Sequence, residues 1–253
     1  MNYLKTLAAL AFALVFCPAP GSAQTIIGSL PYTITAAGTY VLNQPLSYAS
    51  GSGIAILVKA NNVTINLNGN TIANTSDQTK TTAIGIGAYN VENVTIENGG
   101  IFGFHYGVYL NGPSSGASFN LGHLVQGLRL AYCTYAGIWL NYADNCLIQN
   151  CQLSSLGTTA GGVRVGTFSA GIYVISLNGG TRVYRCQVLK AATTGFVGIG
   201  GVQGSYWEQN LATNCVYGFA FGGSNAAYRD NASFGSTTQA FVSGNDFGGN
   251  HSQ

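Results

Sequence analysis

The sequence predicts an all-β chain wound into a single parallel β-helix of about eight coils, each stacked on the one before it. Three observations predict it. A small residue followed by an apolar one recurs every 22 to 34 residues along the chain. The stretches between these landmarks alternate apolar and polar with period two, the pattern of a strand with one face in and one out. Asn or Gly closes most of those stretches, and both tolerate the left-handed backbone a sharp corner needs.

Composition removes the competing classes. Of 253 residues only 6% are charged, 36 are Gly and 23 are Asn. A helical bundle or coiled coil needs charged faces and long-chain helix formers, which are scarce here. Disorder is excluded by the 47% hydrophobic and 11% aromatic content, enough to bury a core. A net charge of +2 offers no basic patch for nucleic acid.

The chain opens on an expected secretory signal over residues 1–23. Lys5 supplies a positive start, Leu7 to Phe16 an apolar run, and Gly21-Ser22-Ala23 a small-residue cleavage site. The run is too short to span a bilayer, which takes about 20 residues. Cys17 lacks the small residues expected before a lipidated cysteine, so the reading is export to the periplasm or the exterior, without lipid anchor or membrane span.

Residues 24–52 come next as an N-terminal cap segment, then residues 53–247 as the coils and residues 248–253 as a tail. The landmarks are Gly53-Ile54, Ala83-Ile84, Gly107-Val108, Gly137-Ile138, Gly171-Ile172, Gly195-Phe196, Gly218-Phe219 and Ala240-Phe241. A second landmark lies 11 or 12 residues upstream of five of them: Ile96, Val125, Tyr184, Trp207 and Tyr228. Strands such as Val63-Thr64-Ile65-Asn66-Leu67 are short and end in corners, whereas an up-and-down barrel needs longer strands joined as hairpins. Three insertions interrupt the short coils: Asn74 to Thr82, Asn111 to His123 and Ser155 to Ala170. In solenoids such insertions map to loops, often on the binding face.

Asn62-Val63-Thr64-Ile65-Asn66-Leu67-Asn68-Gly69-Asn70-Thr71-Ile72, with Ile34 to Leu42 before it, resembles the opening segment of exported right-handed parallel β-helix repeat proteins, the pectin-lyase-like superfamily. The later Gly-Ile-x-Leu and Ile-x-Asn units are similar, and the resemblance spans roughly residues 28 to 247. It implies a right-handed coil and a link to polysaccharides. It leaves function open, because the coil geometry itself requires these motifs. The chain has no Asn-Thr-Asp, Gly-His-Gly, Arg-Ile-Lys, Trp-x-Asp-His or Asp-Pro-His-Glu, the motifs that mark enzymes of that superfamily.

The register assigns side chains to columns. Val63, Ile65, Val94, Ile96, Ile138, Leu140, Ile172, Val174, Phe196 and Phe219 should point inward. An outward column should read Ala55, Gly85, Tyr109, Trp139, Tyr173, Val197, Ala220 and Val242. Tyr109, Trp139 and Tyr173 then stand on three consecutive coils, and aromatic rings suit the C–H faces of sugars. They are the candidate glycan-binding residues; a stacked ladder that stabilises the sheet is the other reading. A second outward column should carry Glu97, Gln126, Gln149, Arg185, Glu208 and Arg229 as a surface charge ladder. A third, Leu124, Leu147, Val183 and Tyr206, should form an apolar stripe inviting a covering loop or self-association.

After residue 23 the chain has seven carboxylates. Glu92 and Asp144 fall two coils apart at equivalent positions, roughly 9 to 10 Å by rung spacing, at the upper edge of the separation of an inverting glycosidase pair. They are the candidate catalytic carboxylates, with Arg129 or Arg164 as substrate or base groups. No carboxylate cluster suits calcium. His105, His123 and His251 share no ligand spacing, and no Met follows residue 23 for copper, so neither metal nor cofactor is expected. Cys133, Cys146, Cys151, Cys186 and Cys215 are an odd set without a Cys-x-x-Cys pair and read as buried core residues. The leading expectation is an exported, non-catalytic protein that is structural or binds a neutral polysaccharide or cell-surface glycan. The alternative is a polysaccharide lyase or glycoside hydrolase. A polyuronate groove would need Lys and Arg, of which only eight follow residue 23.

Overall fold

The computed structural model describes residues 23–113, 121–176, 179–200, 204–222 and 226–253. The expected signal segment lies outside the described residues, apart from Ala23. So does most of the insertion from Asn111 to His123.

The architecture is a right-handed parallel β-helix of strands without an α-helix among the described residues. Every strand pairing is parallel, in one sheet of seventeen strands and one of nine. A coil consists of one strand from the nine-stranded sheet and two short strands from the other, which run together as one long strand in Val94–Phe102 and Leu124–Ala131. Ala136–Asn141, Leu147–Gln149 and Gln152–Leu156 make one such coil. The last two are separated by a corner whose pivot, Asn150, has φ of 54°. Asn98, Gly127, Arg185, Gln209 and Asp230 pivot the neighbouring coils, all with positive φ. The Asn and Gly pivots were legible in the sequence; Arg and Gln at the same place were not.

The nine-stranded sheet counts nine rungs, one more than expected. Residues 24–52, read as a cap, supply strands that pair in register with the next coil: Gly38–Leu42 with Val63–Asn66, and Tyr32–Ile34 with Ile54–Val58. Nine rungs span about 38 Å at the spacing of paired strands.

The core fills the coil as the alternation predicts. All ten residues assigned inward have no exposed surface, and Phe196, Phe219 and Phe241 stack at 4.7 and 4.9 Å with rings within 7° of parallel. The recurring glycine has a steric cause. A Cβ on Gly107 would lie 2.6 Å from the carbonyl oxygen of Gly137, and one on Gly195 would lie 2.7 Å from that of Gly218. Only a hydrogen or, at the two ends, the small side chains of Ala55 and Ala240 fit this column.

That column corrects the register of the first two coils. Val108 pairs with Ile86, and Ile86 with Ile56. The landmarks are therefore Ala55-Ile56 and Gly85-Ile86, two residues later than Gly53-Ile54 and Ala83-Ile84. The outward column reads Leu57, Gly87, Tyr109, Trp139, Tyr173, Val197, Ala220 and Val242. Ala55 and Gly85 face inward instead. A second correction concerns Tyr184: Val183, not Tyr184, pairs with Trp207 and Ile148. Val183 is thus wholly buried, Tyr184 stands between Gln149 and Glu208 in the outward column, and Arg185 moves to the corner. Arg182 takes the place expected for Val183 between Leu147 and Tyr206, so the apolar stripe is broken by a guanidinium.

Buried polar groups beside the corners are paired. Asn210 Oδ1 accepts the backbone N–H of Cys186 at 2.9 Å, Asn231 Oδ1 that of Asn210 at 2.9 Å, and Asn250 Oδ1 that of Asn231 at 2.9 Å. This ladder satisfies backbone donors that the turn removes from the sheet. The five cysteines after residue 23 are buried free thiols.

Candidate functional site

The strands of the nine-stranded sheet contain no Asp, Glu, Lys or Arg. The charges gather instead on the seventeen-stranded sheet and in the loops. On the uncharged sheet the three middle coils present rings. Tyr109 pairs in register with Trp139, and Trp139 with Tyr173. Tyr106 and Tyr135 flank them at the edge where the chain enters the sheet, and Tyr89 lies at the N-terminal end.

These rings pack on one another. Trp139 and Tyr173 are stacked at 5.4 Å and 7°; Trp139 also meets Tyr109 at 5.0 Å, Tyr106 at 5.1 Å and Tyr135 at 5.7 Å. Tyr109 is covered by Tyr106 at 5.3 Å and by the edge of Tyr89 at 5.6 Å. Ring faces are therefore turned along the rod and occupied by neighbours, and the half-buried rings present their edges outward. This is the stacked ladder that the sequence left as the other reading of the column. Phe168, from the insertion Ser155 to Ala170, packs on Tyr135 and Tyr173 at 5.1 and 5.6 Å. The insertion thus covers one end of the ladder, and its Ala160 N–H reaches the Gln78 side chain of the insertion Asn74 to Thr82 at 2.7 Å.

Polar atoms line the ladder's other margin. Tyr109 donates its hydroxyl to Asn111 Oδ1 at 3.1 Å, and Asn141 Nδ2 donates to the Tyr109 oxygen at 3.2 Å and to Asn111 Oδ1 at 2.6 Å. At the entry edge, beside Tyr106 and Tyr135, His105 Nδ1 meets Thr134 Oγ1 at 3.0 Å. Trp139 Nε1 is buried without a hydrogen-bond partner among the described residues. Burial raises the hydroxyl pKa of Tyr89, Tyr109 and Tyr173 and pushes that of Tyr106 up to about 12. Burial likewise lowers the pKa of His105. At neutral pH the face therefore carries no formal charge, only hydroxyls, amides and ring edges.

The candidate catalytic residues share no recess among the described residues. Asp144 is 3% exposed and sits in the turn after the Trp139 strand. Glu92 is half-buried in a recess of about 140 Å³ with Asn61, Asn90, Pro113 and Leu121, which includes neither Asp144 nor an Arg. Arg129 is exposed on the seventeen-stranded sheet, and Arg164 lies in the insertion Ser155 to Ala170, where its backbone bridges Thr158. Among the described residues no three His, Cys, Asp or Glu side chains gather as a metal-binding group, and no helix is long and apolar enough to cross a membrane.

No protein-family model matches the sequence, and no curated protein sequence is significantly similar to it. Among solved structures the chain is similar to an alginate lyase from Paenibacillus sp. str. FPU-7. The superposition covers 92% of this chain and 87% of that one, with a TM-score of 0.51 and 14% identity. At that identity the likeness is one of fold.

Proposed function

We propose that the protein is an exported, non-catalytic polysaccharide-binding protein and that a neutral glycan lies along its uncharged aromatic sheet. The observation that carries the proposal is the segregation of charge. Nine adjacent strands without one ionisable acid or strong base present rings, hydroxyls and amides on three consecutive rungs. Tyr109, Trp139 and Tyr173 are the centre of that surface. Because their faces are occupied by one another, the contacts proposed are ring edges and outward hydroxyls against sugar C–H and O–H groups, with Asn111 and Asn141 as further partners. The fold neighbour is an alginate lyase, which supports a glycan as ligand class.

That neighbour is also the one point in favour of the lyase or hydrolase reading built on Glu92 and Asp144 with Arg129 or Arg164. Against it, a carboxylate pair acting on one bond needs both groups open to one substrate site, and the burial of Asp144 opposes this. The purified protein incubated with neutral and acidic polysaccharides separates the two. Retention without new reducing ends or unsaturated products, weakened in Tyr106→Phe/Tyr173→Phe, is the expected result. Turnover abolished by Glu92→Ala or Asp144→Ala would replace the binding proposal with the enzyme.

A further inference from the structure

A second surface lies on the other sheet, over the corners of the coils. Three recesses of about 270, 370 and 430 Å³ run into one another there. Phe102 and Arg129 line both the first and the second, and Gln152 and Gln187 both the second and the third. Together they form one trough from Gly69 to Leu211, crossing six rungs or about 24 Å.

The register explains its chemistry. Thr71, Gly100, Arg129, Gln152, Gln187 and Leu211 are paired neighbours in a single outward column. Beside it run the corner residues, with Arg185 and Gln209 among them. The lining therefore has guanidiniums, amides and apolar ledges at Leu189 and Leu211, and among the described residues it has no carboxylate. The two guanidiniums are also uncommitted to acids. Arg182 and Arg229 both reach Glu208, at 3.9 and 2.6 Å, whereas Arg129 and Arg185 have no ion pair among the described residues. Arg185 instead donates Nε to Gln209 Oε1 at 2.9 Å and lies 4.6 Å over the Tyr184 ring, which fixes its orientation. The nearby Glu97 carboxylate is engaged by the amides of Asn66 and Gln126 at 3.0 and 2.8 Å.

We propose that this trough is a second binding site, separate from the aromatic sheet, for an extended polysaccharide bearing carboxylate or sulfate groups. Arg129 and Arg185 stand two rungs apart, about 9 to 10 Å along the rod, so acidic groups on sugars along one chain can meet both. Guanidiniums bind such oxyanions with paired, charge-assisted hydrogen bonds. The Gln side chains serve sugar hydroxyls, and Leu189 and Leu211 take the apolar ring faces. Single-stranded nucleic acid is the other anionic polymer of this shape, but its bases need open aromatic faces, and Phe102 is the only ring among the described lining residues.

Affinity electrophoresis of the full chain tests the proposal, using polygalacturonate, a sulfated dextran, neutral dextran and oligothymidylate as probes. The expected result is binding to polygalacturonate, to sulfated dextran, or to both, that weakens as salt rises. It falls at least about tenfold in Arg129→Ala/Arg185→Ala, a loss of about 1.4 kcal/mol. Lys59→Ala, which removes the same kind of charge from an exposed site elsewhere, should leave binding unchanged. Equal loss in Lys59→Ala, or no salt-sensitive binding to either acidic glycan, would overturn the proposal. Tighter binding of oligothymidylate than of both glycans would overturn it in favour of nucleic acid. None of these results depends on the aromatic sheet, so failure of one site leaves the other standing.

Discussion

Trp139 and Tyr173 occupy the same position on adjacent rungs, with ring planes 7° apart and centroids at 5.4 Å. A parallel in-register sheet brings aromatic residues of one outward column into contact on adjacent rungs, stacked here and tilted by 49° between Tyr109 and Trp139. The rings shield each other's faces, add packing energy to each rung, and leave edges for solvent. Stability and ligand contact therefore draw on the same residues, and variants must separate them.

Trp139→Ala should cost about 2–4 kcal/mol, the range for losing a large ring that is only partly buried but touches four others. Tyr173→Phe, which keeps the stack, should cost much less. Denaturant midpoints at constant slope measure both; equal loss in the two variants would show that the stack contributes little.

Gly195→Ala should destabilise its coil by about 1–3 kcal/mol, since the added Cβ would sit 2.7 Å from a backbone oxygen that cannot move without breaking a rung. Gly28→Ala, where a Cβ meets nothing within 4 Å, is the matched control. Thermal melts of the two variants make the comparison.

Asn231 is wholly buried. It accepts the Asn210 N–H and donates to the Trp207 carbonyl at 3.0 Å. Asn231→Ala strands both groups, for an expected loss of about 2–4 kcal/mol. Faster hydrogen exchange at the Asn210 amide, read by mass spectrometry, should accompany it.

Acid should weaken the fold through His123. Burial pulls its pKa down to about 4, and its Nδ1 accepts the Val94 N–H at 3.2 Å, which needs the neutral ring. The folded pKa is thus below the unfolded value of about 6.5. Between pH 6.5 and 4 the unfolded chain binds more protons, so stability is complete above about 6.5 and falls by up to about 3 kcal/mol toward pH 4. His105, lowered in the same direction, adds to the slope. Urea unfolding across this range should show a shallower pH dependence in His123→Gln than in the parent protein.

The sequence carried the coil, its inward faces and the Tyr109–Trp139–Tyr173 column, because alternation and recurring glycine are direct consequences of stacking. It misplaced the first two coils because Gly53-Ile54 and Ala55-Ile56 are both a small residue followed by an apolar one, so the two registers satisfy the landmark equally. At Val183 the slip was of one residue, which exchanges the faces; the aromatic Tyr184 resembled Trp207 and Tyr228 more closely than the valine that occupies their place. The trough over the corners was invisible for a related reason. Arg129, Gln152 and Gln187 become neighbours only when every rung is in register, and Arg185 was assigned to the wrong column. The charge-free sheet could be read from strand composition once strands were assigned to sheets, an assignment that the local pattern does not supply.

Glycan binding on the uncharged sheet is best tested by affinity electrophoresis of the protein through gels containing neutral polysaccharides, at low and at high salt. A ligand held on an uncharged sheet should retard the protein equally at both salt concentrations, because no ion pair is screened. Tyr106→Phe/Tyr173→Phe, which removes two hydroxyls and leaves the rings, should reduce the retardation. Arg129→Ala/Arg185→Ala, on the opposite sheet, should not. Mobility unaffected by every neutral polysaccharide tried would refute binding on this sheet, as would retardation that disappears at high salt.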